Sequence, residues 1–380
     1  MSSIESSLRL DTNRAREVST PALLIDVGLV AANLDRMITV VGGPANVHRL
    51  RPHLKTHKSP MVTAMQVDRG IRDFKAATMA EAEMAGKARA AEVLIAHPPV
   101  GPRARQILEL AERHPDTIFG TIVDDGDVVD GLKTCAREAG TSLDVFIDVD
   151  CGMHRTGIPF GEGLARLREQ ILSSDGLRYR GLHVYDGHVH DASMRQRQLQ
   201  AEEILASVHD DLLQYPSPQI VIGGSPTFAC YAGAVPDDDD RTRWQFSPGT
   251  TIFWDTGYDL LFAEMDYDIA ACLMTRVVSR PAPDRLCLDL GIKAIAAEKP
   301  LALRFVLPAI PDSQPILHSE EHLVIRTNLA GDLPIGTPLV VLPDHICPSV
   351  AKYDHAHIVR GGEITEETWD VMPRSPFHGR

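Results

Sequence analysis

Between about residues 20 and 250, short apolar runs alternate with helix-like segments, and this alternation constrains the fold more than any other feature of the chain. Repeated strand–helix units predict parallel strands joined by helical crossovers. The apolar runs are PALLID (21–26), RLRPHLKT (49–56), DFKAAT (73–78), EVLIAHP (92–98), FGTIVDD (119–125), LDVFIDVD (143–150), RGLHVYDG (180–187), QIVIGG (219–224) and RWQFSPGT (243–250). A (β/α)8 barrel needs eight strands, so we expect the first run to belong to a neighbouring domain. The alternative is an open doubly wound sheet, but no GxGxxG turn opens its first βα unit.

The pattern of apolar and polar residues changes after about residue 250. Apolar runs such as IAACLMTRVVSR and PLVVLP are then separated by Pro, Gly and Asp, and helical periodicity fades. We therefore predict two domains: a barrel over residues 20–250, and a mostly β domain over residues 251–380 that also takes up the first apolar run. The acidic run at 237–240 predicts a solvated loop of the barrel domain.

The net charge limits the partners that the protein can bind, and the cysteine pattern indicates its redox compartment. A net charge of −14 argues against binding to nucleic acid or to anionic membrane surfaces. No apolar run approaches the roughly 20 residues of a membrane span, and the polar first residues lack a signal-peptide core. The six cysteines are scattered without a CxxC pair, which favours a reducing cytoplasm over a disulfide framework.

The densest group of reactive side chains is the run RPHLKTHK. Residues two apart on a strand share a face. The basic side chains predicted to share one face, pointing into the barrel, are Arg51, His53, Lys55 and His57. Because burial of unpaired charge is costly, the run is either a solvated strand end or a site at the C-terminal mouth, where barrel enzymes place their chemistry. In such a site, a lysine crowded by other cations could form a Schiff base.

Two glycine-rich turns are candidates for phosphate binding. Gly223, Gly224 and Ser225 follow the QIVI run, and the SPGT turn with Gly249 and Thr250 follows the next run. Glycines let backbone N–H groups approach an anion, and hydroxyl groups add donors. Each turn alone is also typical of an ordinary loop. Together they favour phosphate, which barrels often bind after their last two strands.

Two further loops carry candidate polar groups. In DVDCGMHRTG, Arg155 lies near a glycine just past a strand, where it suits an anionic oxygen or a surface ion pair. In GLHVYDGHVH, His183 and Tyr185 share a strand face, and His188 begins the loop beyond. Histidines here could supply an acid or a base near neutral pH, or could be ordinary polar loop residues.

A short metal-binding pattern lies in PDHIC. If this segment is extended, His345 and Cys347 project to one side. An imidazole and a thiolate can chelate a cation such as Zn²⁺, and two protein ligands leave positions open for water or substrate. The same spacing also fits a buried cysteine beside a surface histidine.

The motifs RPHLKTHK, DCGMHRTG, YDGH, GGS, SPGT and PDHIC, in this order, resemble those of the D-threonine aldolase and D-serine dehydratase family. These are pyridoxal 5'-phosphate (PLP) enzymes with the alanine-racemase-like fold. The resemblance covers the chain from about residue 20 to about residue 360. It implies an α/β fold with an N-terminal PLP-binding (β/α)8 TIM barrel and a C-terminal mostly-β domain. It also implies a homodimer that acts on a small D-amino acid.

The resemblance implies how PLP would be held. Lys55 matches the lysine that carries PLP covalently, with His53 and His57 as groups around the cofactor. The other cofactor-binding positions that it implies are Arg155 at the phenolic oxygen, Tyr185 lining the site, and Gly223, Gly224, Ser225, Gly249 and Thr250 at the phosphate.

The resemblance also implies the reacting groups. His345 and Cys347 match the divalent-metal pair, and His188 matches a histidine near the substrate hydroxyl. A thiolate ligand favours Zn²⁺ over Mn²⁺ or Mg²⁺. D-threonine aldolases carry HxD where this chain has HxC, and HxC looks more like the dehydratase pattern.

Three functions are the main candidates, and a racemase or other PLP reaction and a barrel enzyme without PLP also stay open. The first is retro-aldol cleavage of a D-3-hydroxy-α-amino acid to glycine and an aldehyde. The second is dehydration of such a substrate to a 2-oxo acid and ammonia. The third is a non-catalytic PLP-binding protein of cofactor homeostasis, which the β domain and the metal pair argue against.

Overall fold

A computed structural model describes residues 8–10, 12–235 and 241–373. The described chain divides into two compact units. The first, the barrel unit, holds residues 37–55, 63–235 and 241–249. The second, the β unit, holds described residues within 8–36, 56–62 and 250–373. The acidic run at 237–240 lies outside the described residues. None of the helices in the described ranges combines the length and apolar character that a bilayer crossing demands.

The barrel unit is built on seven strands, numbered along the chain. They are β2 (Asp73–Ala76), β3 (Glu92–Ile95), β4 (Ile118–Val123), β5 (Leu143–Val149), β6 (Leu177–Val184), β7 (Gln219–Ile222) and β8 (Arg243–Phe246). They form one sheet in sequence order, and every neighbouring pair is parallel. The crossover helices are α4 (Met79–Lys87), α5 (Arg103–Arg113), α6 (Gly126–Glu138), α7 (Glu162–Leu172), α8 (Met194–Gln214) and α9 (Phe228–Ala234). The predicted alternation of strands and helices is thus confirmed.

The eighth position of the barrel is filled by a short segment instead of a full strand. Leu50 forms a parallel bridge with Phe246 of β8, and His53 forms one with Lys75 of β2. Pro52 between them has no N–H to donate, and the chain turns directly after His53, so no longer ladder forms. The barrel class is confirmed, but the strand predicted for this run is reduced to two isolated bridges.

The β unit is organised around the first apolar run. This run forms β1 (Ala22–Asp26), which pairs antiparallel with β9 (Ala271–Ala282) and parallel with β15 (His355–Arg360). The other strands of this unit are β10 (Arg285–Leu288), β11 (Phe305–Val306), β12 (Gln314–His318), β13 (Leu323–Arg326), β14 (Pro338–Pro343) and β16 (Glu363–Asp370). The sheet order is β12-β13-β10-β9-β1-β15-β16, with β14 beside β9 and β11 beside β14. The mostly β character predicted for the C-terminal region is confirmed.

Helices are few in the β unit. The short ones are α1 (Asn13–Glu17), α10 (Thr256–Leu261) and α11 (Ile346–Val350). Two longer helices, each divided between the units along the chain, are α2 (Val27–Val40) and α3 (Pro60–Asp68).

A buried ionic network lies at the N-terminal end of the barrel strands. The guanidinium of Arg51 is almost fully buried and donates to Glu92 Oε2 at 2.5 Å and to Gln245 Oε1 at 2.7 Å. Glu92 is the first residue of β3 and also pairs with Arg180. Chemistry in barrels is placed at the opposite, C-terminal end. The prediction that Arg51 points into a site with the other basic residues of its run is therefore wrong.

Replacing Arg51 by methionine is expected to lower the free energy of unfolding by about 3–5 kcal/mol, because a buried ion pair loses one partner. Arg180 still neutralises Glu92, which places the expected loss near the lower end of this range. Urea unfolding measures the change. The matched control is R166M, which removes an exposed ion pair with Glu162 and should cost about 0–1 kcal/mol. Equal losses for both variants would contradict a stabilising role for the network.

Candidate active site

Three cations surround the ring of Tyr185, which directly follows β6. The ring centroid lies 5.7 Å from Lys55 Nζ, 5.2 Å from Lys75 Nζ and 5.1 Å from Arg155 Cζ. Lys75 is only 2% exposed, whereas Lys55 and Tyr185 are half-buried. Positive charge gathered at this density is costly unless a negative group joins it. The cluster, at the carboxyl end of the barrel strands, therefore fits an anionic ligand.

The turn that presents Lys55 is fixed to β2. The N–H of Leu54 donates to the carbonyl of Lys75 at 2.8 Å, and the N–H of Lys55 donates to His53 Nδ1 at 3.3 Å. His53 thus shapes the backbone that carries Lys55.

The loop that presents Arg155 is held by Asp150. The carboxylate of Asp150 accepts the backbone N–H groups of Gly152 and His154, both at 3.0 Å, and contacts the His154 ring at 2.8 Å. Burial alone would raise the pKa of Asp150, but the hydrogen bonds from His154 and Gly152 lower it to about 2. The DCGMHRTG motif therefore contains a charged anchor for the loop that carries Arg155.

The two glycine-rich turns meet in the barrel unit. The N–H of Gly249 donates to Ser225 Oγ at 3.0 Å. Gly223 has φ of +81°, and a Cβ there would come within 2.9 Å of Tyr231, so glycine is required. Ser247 is 3% exposed, and its hydroxyl has no hydrogen-bond partner among the described residues. A buried hydroxyl in this state, beside paired turns, fits a phosphate oxygen.

A buried carboxylate lies beside Tyr185. Asp186 accepts a hydrogen bond from the Tyr231 hydroxyl at 2.8 Å, and burial raises the pKa of this carboxyl. Its other oxygen makes no hydrogen bond of normal geometry within the described part of the chain. Gly224 packs against Tyr185, because a Cβ on it would lie 3.2 Å from Tyr185 Cε2. Asp186 is thus a further acceptor for a bound ligand.

His188 lies against the loop that carries Arg155. A Cβ on Gly152 would come within 3.0 Å of His188 Nε2. The Nδ1 atom of His188 is buried and has no hydrogen-bond partner in the described ranges. A half-buried imidazole with an unused nitrogen can exchange a proton with a ligand.

The predicted metal pair lies in the β unit, directly after β14. His345 is extended, with φ of −132° and ψ of 102°, and it caps α11, whereas Cys347 lies in the first turn of that helix. The prediction of one extended segment is therefore wrong at Cys347. The two side chains still interact: burial would lower the pKa of His345, but its hydrogen bonds with Cys347 and Glu298 raise it to about 9.

The surroundings of this pair fit a metal. Glu298 Oε1 lies 2.5 Å from His345 Nδ1, which leaves Nε2 for coordination, as in carboxylate–histidine–metal arrangements. The Cys347 sulfur lies 3.2 Å from the Thr56 hydroxyl and 3.5 Å from the Thr250 hydroxyl. Among the described residues no group of three or more His, Cys, Asp or Glu side chains could hold a metal. The candidate donors are therefore one imidazole and one thiolate, and such a pair would suit zinc with open coordination positions.

Two residues predicted at the cofactor lie in the β unit. The hydroxyl of Thr250 is close to Cys347, as described above. The ring of His57 packs on Phe253, with centroids 6.3 Å apart, and its Nδ1 accepts the N–H of Ser59 at 3.1 Å. Cofactor roles for Thr250 and His57 stay predictions.

The sequence reasoning missed four polar groups near these sites: Lys75, Asp186, Glu298, and Asp148, whose carboxylate lies 2.7 Å from the His183 ring. Lys75 had a usable signal, because a lysine inside the short apolar run of a buried parallel strand is unusual. Glu298 had none, since it is 47 residues from His345 in the chain.

Two family models match the chain. The model of the alanine racemase N-terminal domain matches residues 25–244, and that of the serine dehydratase domain matches residues 270–359. The two matched segments follow one another along the sequence.

Named relatives match the chain over nearly its whole length. The D-threonine aldolase of Arthrobacter sp. is 27% identical, covering 94% of this chain and 93% of the relative. The D-threo-3-hydroxyaspartate dehydratase of Delftia sp. (strain HT23) is 25% identical, covering 93% and 97%. The crystal structure of D-threonine aldolase from Filomicrobium marinum has a TM-score of 0.81 at 26% identity, covering 94% and 96%.

These matches confirm the resemblance inferred from the motifs. The alanine racemase model alone covers more than half of the chain. This protein therefore belongs to the alanine racemase N-terminal domain family.

Proposed function

We propose that this chain is a PLP- and divalent-metal-dependent lyase of D-3-hydroxy-α-amino acids, with aldolase-type cleavage as its main reaction. The observation that supports this most is the convergence of two lysines and Arg155 around Tyr185 at the carboxyl end of the barrel. The match to the alanine racemase family model and the similarity to relatives named as an aldolase and a dehydratase also support it.

The barrel unit offers a group for each part of PLP. Lys55 would hold the aldehyde carbon covalently, and Arg155 would bind the phenolic oxygen. The turns joined by Ser225 and Gly249 would bind the phosphate, with the buried Ser247 hydroxyl as an additional donor. When bound, PLP supplies an electron sink for negative charge that develops at the substrate Cα.

The chain's own residues would move the protons. In aldol cleavage, His188 would take the proton of the substrate's β-hydroxyl, because its Nδ1 has no other partner in the described residues. In dehydration, Lys55 would take the proton from Cα instead. A divalent cation on His345 and Cys347 would supply Lewis-acid chemistry. Zinc is favoured by the thiolate, with manganese or magnesium as alternatives.

Dehydration is the second candidate reaction. It is favoured by Cys347 in the metal pair and by the similarity to a dehydratase at 25% identity. The aldolase relative, at 27% identity, favours cleavage by a small margin. As part of the same proposal, the protein is a cytoplasmic homodimer, on the strength of the scattered cysteines and the family resemblance.

Product analysis separates the two reactions. Incubation of the holoenzyme with D-threonine is expected to give glycine and acetaldehyde in equal amounts, measured by chromatography of derivatised products. L-Threonine serves as the stereochemical control and should give neither. 2-Oxobutanoate and ammonia as the main products would instead establish dehydration. Stable PLP binding without turnover of D-threonine or D-serine would contradict both and favour the homeostasis alternative.

A further inference from the structure

A second amine lies in the barrel site, and the roles proposed above do not use it. Lys75 Nζ on β2 lies 3.5 Å from His183 Nε2 on β6. On its other side, His183 Nδ1 lies 2.7 Å from Asp148 Oδ1 on β5. Asp148 Oδ2 in turn accepts a hydrogen bond from Thr156 at 2.8 Å. The exposed fraction is 4% or less for Lys75, His183 and Asp148.

Lys75, His183 and Asp148 thus form a row of contacts, and their chemistry fixes the direction of the hydrogen bonds in this row. A carboxylate can only accept, so His183 carries its proton on Nδ1 and presents the lone pair of Nε2 to Lys75. A second proton on His183 would place two donors against each other. The row can therefore share one mobile proton, held by Lys75 and passed toward His183.

A purely structural role for Lys75 is poorly supported. The structure describes no carboxylate within ion-pair distance of its Nζ, and a buried ammonium without such a partner is costly. The groups that face it are Lys55, Arg155, Asp148, Asp186 and His183. Burial, followed by the charge of Lys55, lowers the pKa of Lys75 to about 7. The amine can therefore gain or lose its proton in the range where enzymes work.

Lys75 and Lys55 both approach the ring of Tyr185, with centroid distances of 5.2 Å and 5.7 Å. Because both amines lie in one low-dielectric site, a change in the charge of Lys75 changes the electrostatic potential at the nitrogen of Lys55. We propose that Lys75, with His183 and Asp148, forms a buried proton relay that sets the protonation state of the linkage between Lys55 and the cofactor. This inference rests on the proposed function, and Lys75 acts in it as a positioning residue.

The test is a pH titration of the visible absorbance of bound PLP in wild type, K75M and K75R. The positive charge on Lys75 disfavours a second positive charge on the linkage, so K75M should raise the titration midpoint by about one pH unit. K75R keeps the charge and should titrate at or below the wild-type midpoint. The control is K87M, which changes an exposed lysine of α4 and should leave the midpoint unchanged.

His183 provides an independent arm. H183Q removes the imidazole next to Lys75, so Lys75 loses its proton more readily and the midpoint should rise by less than in K75M. If K75M does not fold, the other two variants test the relay: the midpoint should lie at or below that of wild type in K75R and above it in H183Q. A K75M midpoint within about 0.2 pH unit of wild type, or equal shifts in K75M and K75R, would overturn the relay. A wild-type protein that binds no PLP would overturn the proposed function itself, and the relay with it.

Discussion

Replacing Lys55 by alanine is expected to remove covalent cofactor attachment and to lower turnover of D-threonine by a factor on the order of 10³ or more. The reason is that Lys55 would hold the aldehyde carbon of the cofactor for exchange with the substrate's amino group, and alanine has no amine to do so. The visible absorbance band after dialysis and the steady-state rate measure the two effects.

The matched control for this prediction is K87A. Lys87 lies on α4 in the same unit, and its exposed amine pairs with Glu83. K87A should keep both the absorbance band and the rate. Turnover by K55A at more than about a tenth of the wild-type rate would contradict the role given to Lys55.

Removal of the divalent metal is expected to lower turnover by a factor of about 100 or more while the absorbance of bound PLP persists. A chelator applied to the holoenzyme produces the metal-free form, and added Zn²⁺ should restore the rate. C347A should lose the metal in the same way, as measured by elemental analysis. Under the proposal, different residues would hold the cofactor and the metal, so we expect that one can be removed without the other.

C347D is the informative partner of C347A. It places a carboxylate where D-threonine aldolases carry the HxD pattern, and it should retain a metal but shift the preference toward Mn²⁺. Full activity of metal-free C347A would end the metal hypothesis. Activity that is insensitive to which metal is supplied in C347D would argue that Cys347 does not coordinate it.

The sequence was most informative where one strong local pattern determines the structure. The runs DFKAAT and LDVFIDVD became β2 and β5, because continuous apolar segments between helical crossovers have few alternatives in an α/β fold. Lys55 could be picked out by the density of basic residues in its run, and Arg155 by its position just past a strand. The structure brings both to Tyr185. Their chemical roles remain proposals.

The sequence was least informative where pairing partners are distant or a proline interrupts a pattern. Alternation in RPHLKTHK suggested one common face, but Pro52 ended the ladder and Arg51 found Glu92 at the other end of the barrel. At PDHIC the spacing suggested an extended pair, whereas α11 begins between His345 and Cys347. Lys75 carried a local signal in its apolar run, but its contact with His183 could not be foreseen, because the two residues are 108 positions apart in the chain.

The central claim is that Lys55, and not the other lysine beside Tyr185, carries the cofactor. Borohydride reduction of the PLP-loaded protein, followed by proteolysis and mass spectrometry, locates the pyridoxyl group directly. We expect it on the peptide that contains Lys55, with Lys75 unmodified. A pyridoxyl group on Lys75, or on neither lysine, would contradict the account.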